Sequence, residues 1–354
     1  MILWQNLAGD IIYINYISPV RRISRRLTET FFKNYSTQLS NVFIEREKPY
    51  QTIGQQNMKE TTQLAIILIN WNNATDTLRC LSMISLWPGL DAKVFVVDNA
   101  SSDEDLLLLR KAEYRFQLII NETNRGYSGG NNAGIAEALE QKYPYIMLLN
   151  SDASVSETCI KQLLECMRNS PEVGVTGPLL EEGGRDYAGG RNIGIYSRTR
   201  IPYESETKSP ALLAVDYVPG TALIARREVF EKVGLLEEEF FFSGEIADLC
   251  RRAQSAGLKC AIYTGCRASH TPDTSSIMRE TIYNYYTLRN RFLFIRRHFR
   301  NTKIVWSMRW IVGGFIQIII ALLKGKRMRA RALWLGLRDG VAGKFGDGNA
   351  QFIY

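Results

Sequence analysis

Regular patterning begins at residue 64. Leu64–Ile69 is an unbroken apolar run, Val94–Val97 is a second, and Leu118–Ile120 and Tyr145–Leu149 are a third and fourth. Between the first two, Thr77, Leu78, Leu81 and Ile84 recur at helical spacing, and Asn132–Tyr143 reads as a helix ahead of the fourth run. Strands that are apolar throughout are buried on both faces. Their alternation with helices predicts an α/β domain on a mostly parallel central sheet. Ligands of such sheets sit beyond the carboxyl ends of the strands, so the polar residues there should carry the chemistry.

Asn70-Trp71-Asn72-Asn73 follows the first run, and Asp98-Asn99-Ala100-Ser101-Ser102-Asp103 follows the second. Asn124-Arg125-Gly126-Tyr127-Ser128-Gly129-Gly130-Asn131-Asn132 follows the third, and Asn150-Ser151-Asp152 the fourth. Each alone is an ordinary turn or helix cap, the Asp-Asn-Ala-Ser-Ser segment most plainly. Together they supply the parts a nucleotide diphosphate needs. A carboxylate ending a strand accepts the N3–H of a pyrimidine, and backbone N–H groups of a Gly-Gly-Asn turn approach the phosphates. An aspartate beyond the next strand holds a divalent cation. A dinucleotide fold would carry its glycine-rich turn after the first strand, whereas here it follows the third.

These segments resemble the donor-site motifs of family 2 glycosyltransferases, with the bacterial rhamnosyltransferase-like branch the nearest likeness. The resemblance continues through Val218-Pro219-Gly220-Thr221-Ala222, Arg226-Arg227-Glu228-Val229-Phe230, Val233-Gly234-Leu235 and Phe240-Phe241. It then runs through Asp248-Leu249-Cys250, Arg252, Gly257 and His270 to Tyr286-Thr287-Leu288-Arg289-Asn290, covering about residues 62–300 in the family's order. It implies a GT-A fold, a nucleotide-sugar donor, Mg²⁺ or Mn²⁺, and inversion at the anomeric carbon. By the same likeness Asp98 reads the base, Asn70 lies beside the nucleoside, and Gly129 and Asn131 line the nucleotide pocket. Asp152 binds the metal through the diphosphate, Gly220 floors the donor-sugar and acceptor pocket, and His270 is a second candidate metal ligand. The bland reading of His270 is a packed histidine after a strand.

One motif departs from the family. Its acidic motif reads Glu-Asp-x-Asp-Leu-Cys, the second residue being the general base, and this chain has Glu245-Ile246-Ala247-Asp248-Leu249-Cys250. An aliphatic side chain takes no proton. Three readings stay open: Glu245 or Asp248 acts as the catalytic base, the acceptor needs little base catalysis, or the chain is an impaired relative serving as a nucleotide-sugar-binding scaffold subunit. The expected activity is transfer from a UDP- or dTDP-sugar, dTDP-rhamnose being favoured by likeness alone, to a cell-surface polysaccharide or lipid-linked saccharide. A nucleotidyltransferase is disfavoured by the missing glycine-rich, lysine-containing first loop.

Charge changes the picture at the chain's end. The net charge of +8 divides into +3 over residues 1–57, −7 over 58–278 and +12 over 279–354. An acidic body with a basic end argues against nucleic acid as a partner and for an anionic membrane surface. Tyr285–Phe299 reads as a basic helix, and Trp310–Leu323 is free of charge. A spanning helix needs about 20 apolar residues, so this stretch predicts an amphipathic tail peripheral on the inner face of the cell membrane.

The resulting division is an extension at 1–57, a glycosyltransferase domain at 58–300 and a membrane-associating tail at 301–354. The short apolar run Ile11–Ile17 follows Asp10 and precedes Arg21, Arg22, Arg25 and Arg26, the reverse of a signal peptide's order. Met58 reads as an alternative start. The six cysteines show no CxxC pair and read as reduced thiols of a cytoplasmic protein.

Overall fold

A computed structural model describes the backbone of Leu3–Gln5 and Ile11–Tyr13, and residues 63–204, 209–270 and 277–352. The expectations for residues 18–57 and for Met58 lie outside the described residues. The chain divides into two units, Met1–Pro49 and Tyr50–Tyr354. In the first, β1 (Leu3–Gln5) and β2 (Ile11–Tyr13) pair antiparallel.

The second unit is built on an 11-stranded sheet. The four apolar runs become β3 (Leu64–Asn70), β4 (Ala92–Asp98), β5 (Gln117–Ile120) and β6 (Tyr145–Leu149), all parallel, in the order β6-β3-β4-β5. The chain then turns through β7 (Ala153–Val155) into β8 (Val173–Glu182), β9 (Arg185–Gly190), β10 (Arg200–Tyr203) and β11 (Leu212–Ala214). β12 (Ala222–Arg226) inserts antiparallel between β6 and β8, and β13 (Lys259–His270) runs parallel to β8.

β3 shows why these runs contain no polar position. Leu64, Ile66 and Leu68 join one apolar cluster with Leu81 and Ile84 of helix α1 (Ala74–Ser85). Ala65 and Ile67 join a second cluster with Ile135 and Ala138 on the opposite face. Successive side chains of a strand point to opposite faces, and here both faces are covered. The exit from β4 leads into α2 (Asp103–Arg110), capped by the Ser102 hydroxyl as the sequence predicts.

The glycine-rich segment differs from expectation. Helix α3 spans Gly126–Glu140, so Gly129, Gly130 and Asn131 are helical and not a turn entering one. Close approach to the sheet is the reason for Gly130 and Gly134: a Cβ on Gly134 would stand 2.6 Å from Ile67 Cγ2, and one on Gly130 3.1 Å from Ile69 Cδ1. The first amides of α3 are also engaged, since Tyr127 N donates to Phe241 O at 2.7 Å and Gly129 N to Arg125 O at 3.1 Å. The expected cradle of open N–H groups is therefore corrected at this segment.

Helices α4 (Glu157–Asn169), α5 (Arg227–Val233) and α6 (Glu245–Ser255) complete the body. Then follow α7 (Ile277–His298), α8 (Lys303–Leu323) and α9 (Arg327–Ala342). α8 begins well before the uncharged stretch and takes in Arg309. Trp310 and Ala321 of α8 share a cluster with Leu288 and Phe292 of α7 and Leu333 and Leu337 of α9. The cysteine expectation is also corrected: Cys159 and Cys266 form a disulfide between α4 and β13, while Cys80, Cys250 and Cys260 are buried free thiols and Cys166 is buried on α4.

Candidate active site

The parallel register of β3 and β4 sets Asn70 beside Asp98. Asn70 Nδ2, with two hydrogens to give, lies 2.9 Å from Asp98 Oδ1, 3.0 Å from Ser101 Oγ and 2.6 Å from Asp105 Oδ2. Thr77 Oγ1 donates to Asn70 Oδ1, and Asp98 Oδ2 accepts from Ser101 N at 3.1 Å. Both residues are 1% exposed, so only a rim of the carboxylate meets solvent. A carboxylate has about four acceptor sites, and each Asp98 oxygen keeps capacity for one further donor. Asp105 and Ser101 were not singled out from the sequence, although the cap that follows β4 contains both.

Gly129 and Asn131 lie on α3 behind this end. Asn131 Nδ2 donates to Tyr127 O at 3.0 Å, and a Cβ on Gly129 would meet Arg125 Cβ at 2.6 Å and Glu238 Oε2 at 3.2 Å. Arg125 and Glu238 pair at 2.8 Å above it.

Asp152 and His270 are brought together by strand pairing. β7, which starts one residue after Asp152, runs antiparallel to the end of β13 with Ala153 opposite His270. His270 Nε2 stands 3.2 Å from Asp152 Oδ1, and Nδ1 4.0 Å from Glu182 Oε1. Neither ring nitrogen makes a hydrogen bond, and both are buried. A buried imidazole left unbonded beside a carboxylate fits a divalent cation between them. No cluster of three or more His, Cys, Asp or Glu suited to a metal occurs among the described residues. These two side chains would therefore leave most of the coordination sphere to phosphate and water oxygens, the arrangement Mg²⁺ favours. Glu182 is neutralised by Arg200, whose guanidinium also lies over the Tyr187 ring.

His270 and Glu182 open onto a cavity of about 640 Å³ that Gly220, Tyr127, Glu245 and Ile246 also line. Gly220 forms the floor: Tyr127 Oη donates to its carbonyl at 2.8 Å, and a Cβ there would stand 2.7 Å from that hydroxyl and 3.0 Å from Ile246 Cγ1. Tyr127 is a lining residue that its place in the glycine-rich segment alone does not reveal.

Glu245 opens α6 after a turn in which Phe241, Ser243 and Gly244 all have positive φ. Such conformations persist only where surroundings enforce them. Asn290 of α7 does so, its Nδ2 lying 2.9 Å from Phe240 O, 2.9 Å from Phe242 O and 2.6 Å from Ser243 O. Arg289 adds a bond from Nη2 to Phe240 O at 3.1 Å. The Tyr-Thr-Leu-Arg-Asn motif is thus a brace for the turn that delivers Glu245. Glu245 is 5% exposed, and its Oε2 is buried without a hydrogen-bond partner. Burial raises its pKa to about 7, with the nearby Asp248 charge adding to the effect.

Asp248 faces elsewhere. It is fully buried and accepts from Arg252 Nε at 2.7 Å and Arg297 Nε at 2.8 Å, with His298 Nε2 also at 2.8 Å. Burial alone would raise its pKa, but the His298 and Arg252 contacts hold the carboxyl below the ordinary range. Of the two acidic candidates, the fold brings Glu245 to the cavity and leaves Asp248 behind it. Ile246 reaches the cavity as a packing residue against Gly220.

The sequence model described as glycosyl transferase family 2 matches residues 65–234. The low-salt glycan biosynthesis hexosyltransferase Agl10 of Haloferax volcanii is 29% identical over 253 residues, covering 68% of this chain and 76% of that protein. The dTDP-rhamnosyl transferase RfbF of Shigella flexneri is 26% identical over 266 residues, covering 72% and 88%. Among solved structures, the mannosyltransferase PcManGT of Pyrobaculum calidifontis, in complex with GDP-Man and Mn²⁺, superposes with a TM-score of 0.56 over 90% of this chain and 98% of that one, at 12% identity. The fold is of the GT-A type.

Proposed function

From the premise that the chain carries a family 2 glycosyltransferase domain, we propose that it transfers a sugar, with inversion, from a UDP- or dTDP-sugar to a saccharide acceptor. The observation that carries this reading is the meeting of Asp152 with an otherwise unbonded His270 at the edge of a cavity that also holds Glu245. Asp98, with Asn70 beside it, accepts from the pyrimidine N3–H, which uracil and thymine share. A divalent cation, Mg²⁺ or Mn²⁺, held by Asp152 and His270 would neutralise the leaving diphosphate. Glu245 takes the proton of the acceptor hydroxyl as that oxygen attacks the anomeric carbon from the face opposite the diphosphate. Gly220 leaves room for the donor sugar. The relatives' names support a hexose donor, and RfbF's favours dTDP-rhamnose.

The acceptor is a growing glycan or lipid-linked saccharide met at the membrane, and the support is α8. Among the described residues, Arg300–Leu323 is long and apolar enough to cross a bilayer by length and composition. Yet Trp310, Gly314 and Ala321 are buried against the protein, while Ile304, Val312, Phe315, Ile319 and Leu323 are exposed along the other side. A helix packed along one side and bare on the other fits an interfacial position better than a spanning one. The chain would then sit peripherally on the cytoplasmic face, aided by Lys324, Lys326 and Arg327 next to α8. The purified protein is expected to sediment with phosphatidylglycerol vesicles and to be partly released at high salt. Failure to bind them at low salt would remove the membrane reading.

The test of function is turnover of a panel of UDP-, dTDP- and GDP-sugars with Mn²⁺ or Mg²⁺. We expect slow hydrolysis of one UDP- or dTDP-sugar that EDTA abolishes, and donor binding at least about tenfold weaker in His270→Gln. Turnover indifferent to EDTA would overturn the metal assignment. Ile246 favours a second reading, a scaffold subunit that binds the donor without using it. Tight binding with no turnover even when acceptor glycans are supplied would select that one.

A further inference from the structure

Arg309 and Arg291 both lie against the Trp310 ring, with guanidinium carbons 5.7 and 3.8 Å from its centroid. All three grip one loop. Trp310 Nε1 donates to Gly194 O at 2.7 Å and Arg309 Nε to Ile195 O at 3.2 Å, while Arg291 Nη1 donates to Tyr196 O at 2.8 Å and to Ile193 O. The opposite side of this loop is cavity wall, formed by Ile193 and Thr199, and Arg291 reaches the cavity itself. A short chain of direct contacts therefore joins the bare face of α8 to the cavity.

α8 and residues 191–200 contain no acidic residue; two carboxylates meet the loop from other elements, Asp216, whose Oδ2 accepts from Asn192 N at 2.6 Å, and Glu182, which pairs with Arg200. Arg291 is buried, and its guanidinium bonds go to the backbone carbonyls of Ile193, Tyr196 and Ser197. Arg309 is exposed, and its two terminal nitrogens make no hydrogen bond among the described residues. Around it on α8 stand Val305, Met308 and Val312, each more than half exposed. A guanidinium within such a face is costly to place in hydrocarbon, and an anion at that depth removes the cost, phosphate being the group its planar fork suits.

We infer that Arg309, backed by Arg291, is a subsite for the phosphate of a long-chain amphiphile. The hydrocarbon lies along the apolar face of α8, the phosphate on Arg309, and the head group over residues 193–199 towards the cavity. This rests on the membrane-facing reading of α8 and on the cavity as the place of transfer. The phosphate is that of the carrier of the acceptor saccharide, because the contacts from Arg309 lead through residues 193–199 to the cavity.

Calorimetric titration of the full chain with dodecyl phosphate, dodecyl maltoside and inorganic phosphate tests it. Dodecyl phosphate should bind more tightly than either control. Arg309→Gln should weaken it about tenfold, one charge-assisted contact, while Lys303→Gln, which removes an exposed cation at the start of the same helix, should change it less than about twofold. Equal loss in both variants, no loss in Arg309→Gln, or inorganic phosphate binding as tightly as dodecyl phosphate would overturn the subsite. Phosphatidylglycerol vesicles separate the sources. Arg309→Gln should lose no more vesicle binding than Lys303→Gln; a tenfold loss confined to Arg309→Gln would overturn the carrier and assign the phosphate to the bilayer. Nucleotide-sugar turnover by the wild-type chain is read separately, so an inactive chain that still binds dodecyl phosphate would sink the transferase reading and leave the subsite standing.

Discussion

Glu245→Gln is expected to lower glycosyl transfer by about 10²- to 10⁴-fold, the usual contribution of a general base, while donor binding stays near wild type. With the Glu245 pKa raised to about 7, kcat/KM of the wild type should climb through neutral pH as the carboxyl ionises, and that limb should vanish in the variant. Stability should move the other way. The folded-state pKa lies above the ordinary value of 4.5, so the folded chain holds this proton more tightly than the unfolded one. The stability due to that proton is full below about pH 4.5 and is lost as pH rises through about 7. Glutamine keeps the shape without the charge, so above pH 7 the variant should be more stable, by up to roughly 3 kcal/mol. Denaturant unfolding between pH 4 and 8 beside a transfer assay reads both. A variant that retains full transfer would show that Glu245 is not the base.

Asp248→Asn should produce the opposite pair of results. It would leave Arg252, Arg297 and His298 around a buried neutral amide. Removing one partner of such a buried network costs about 3–5 kcal/mol, read as a lower denaturation midpoint. Since the Asp248 carboxyl is held below its ordinary range, the stability it supplies is present above about pH 4 and disappears on acidification, so the gap between variant and wild type should close in acid. Assayed well below its melting temperature, the variant should keep the neutral-pH limb of the wild type. Loss of that limb would transfer the base role to Asp248.

The contrast between these two carboxylates marks where sequence reading reaches its limit. Buried strands announce themselves through unbroken apolar runs, so β3, β4, β5 and β6 were legible, as were the polar residues at their ends. The choice between Glu245 and Asp248 was not, because it depends on a turn with three positive-φ residues held by Asn290, far away in sequence. Counting helical positions cannot show which side chain that turn aims inward. Two glycines of α3 show a related limit: Gly130 and Gly134 serve helix-to-sheet packing against Ile69 and Ile67, and in the sequence a packing glycine looks like a phosphate-loop glycine. Asp152 and His270 were paired through family likeness, and the register of β7 against β13 supplies the physical cause. The Cys159–Cys266 bond had no spacing signal, being made by two elements that meet only in the folded chain.

That same β7–β13 pairing bears on the order in which the site comes into being. Synthesis proceeds from the amino end, and folding of the emerging chain follows. The strands carrying Asn70 and Asp98 are complete once residue 149 has emerged, yet Asp152 has no imidazole beside it until β13 is made. The turn bearing Glu245 stays unbraced until Asn290 arrives with α7. On the proposed roles, a half-made chain would hold Asn70 and Asp98 side by side and still lack the pairing of Asp152 with His270 and the brace behind Glu245, which are delivered last.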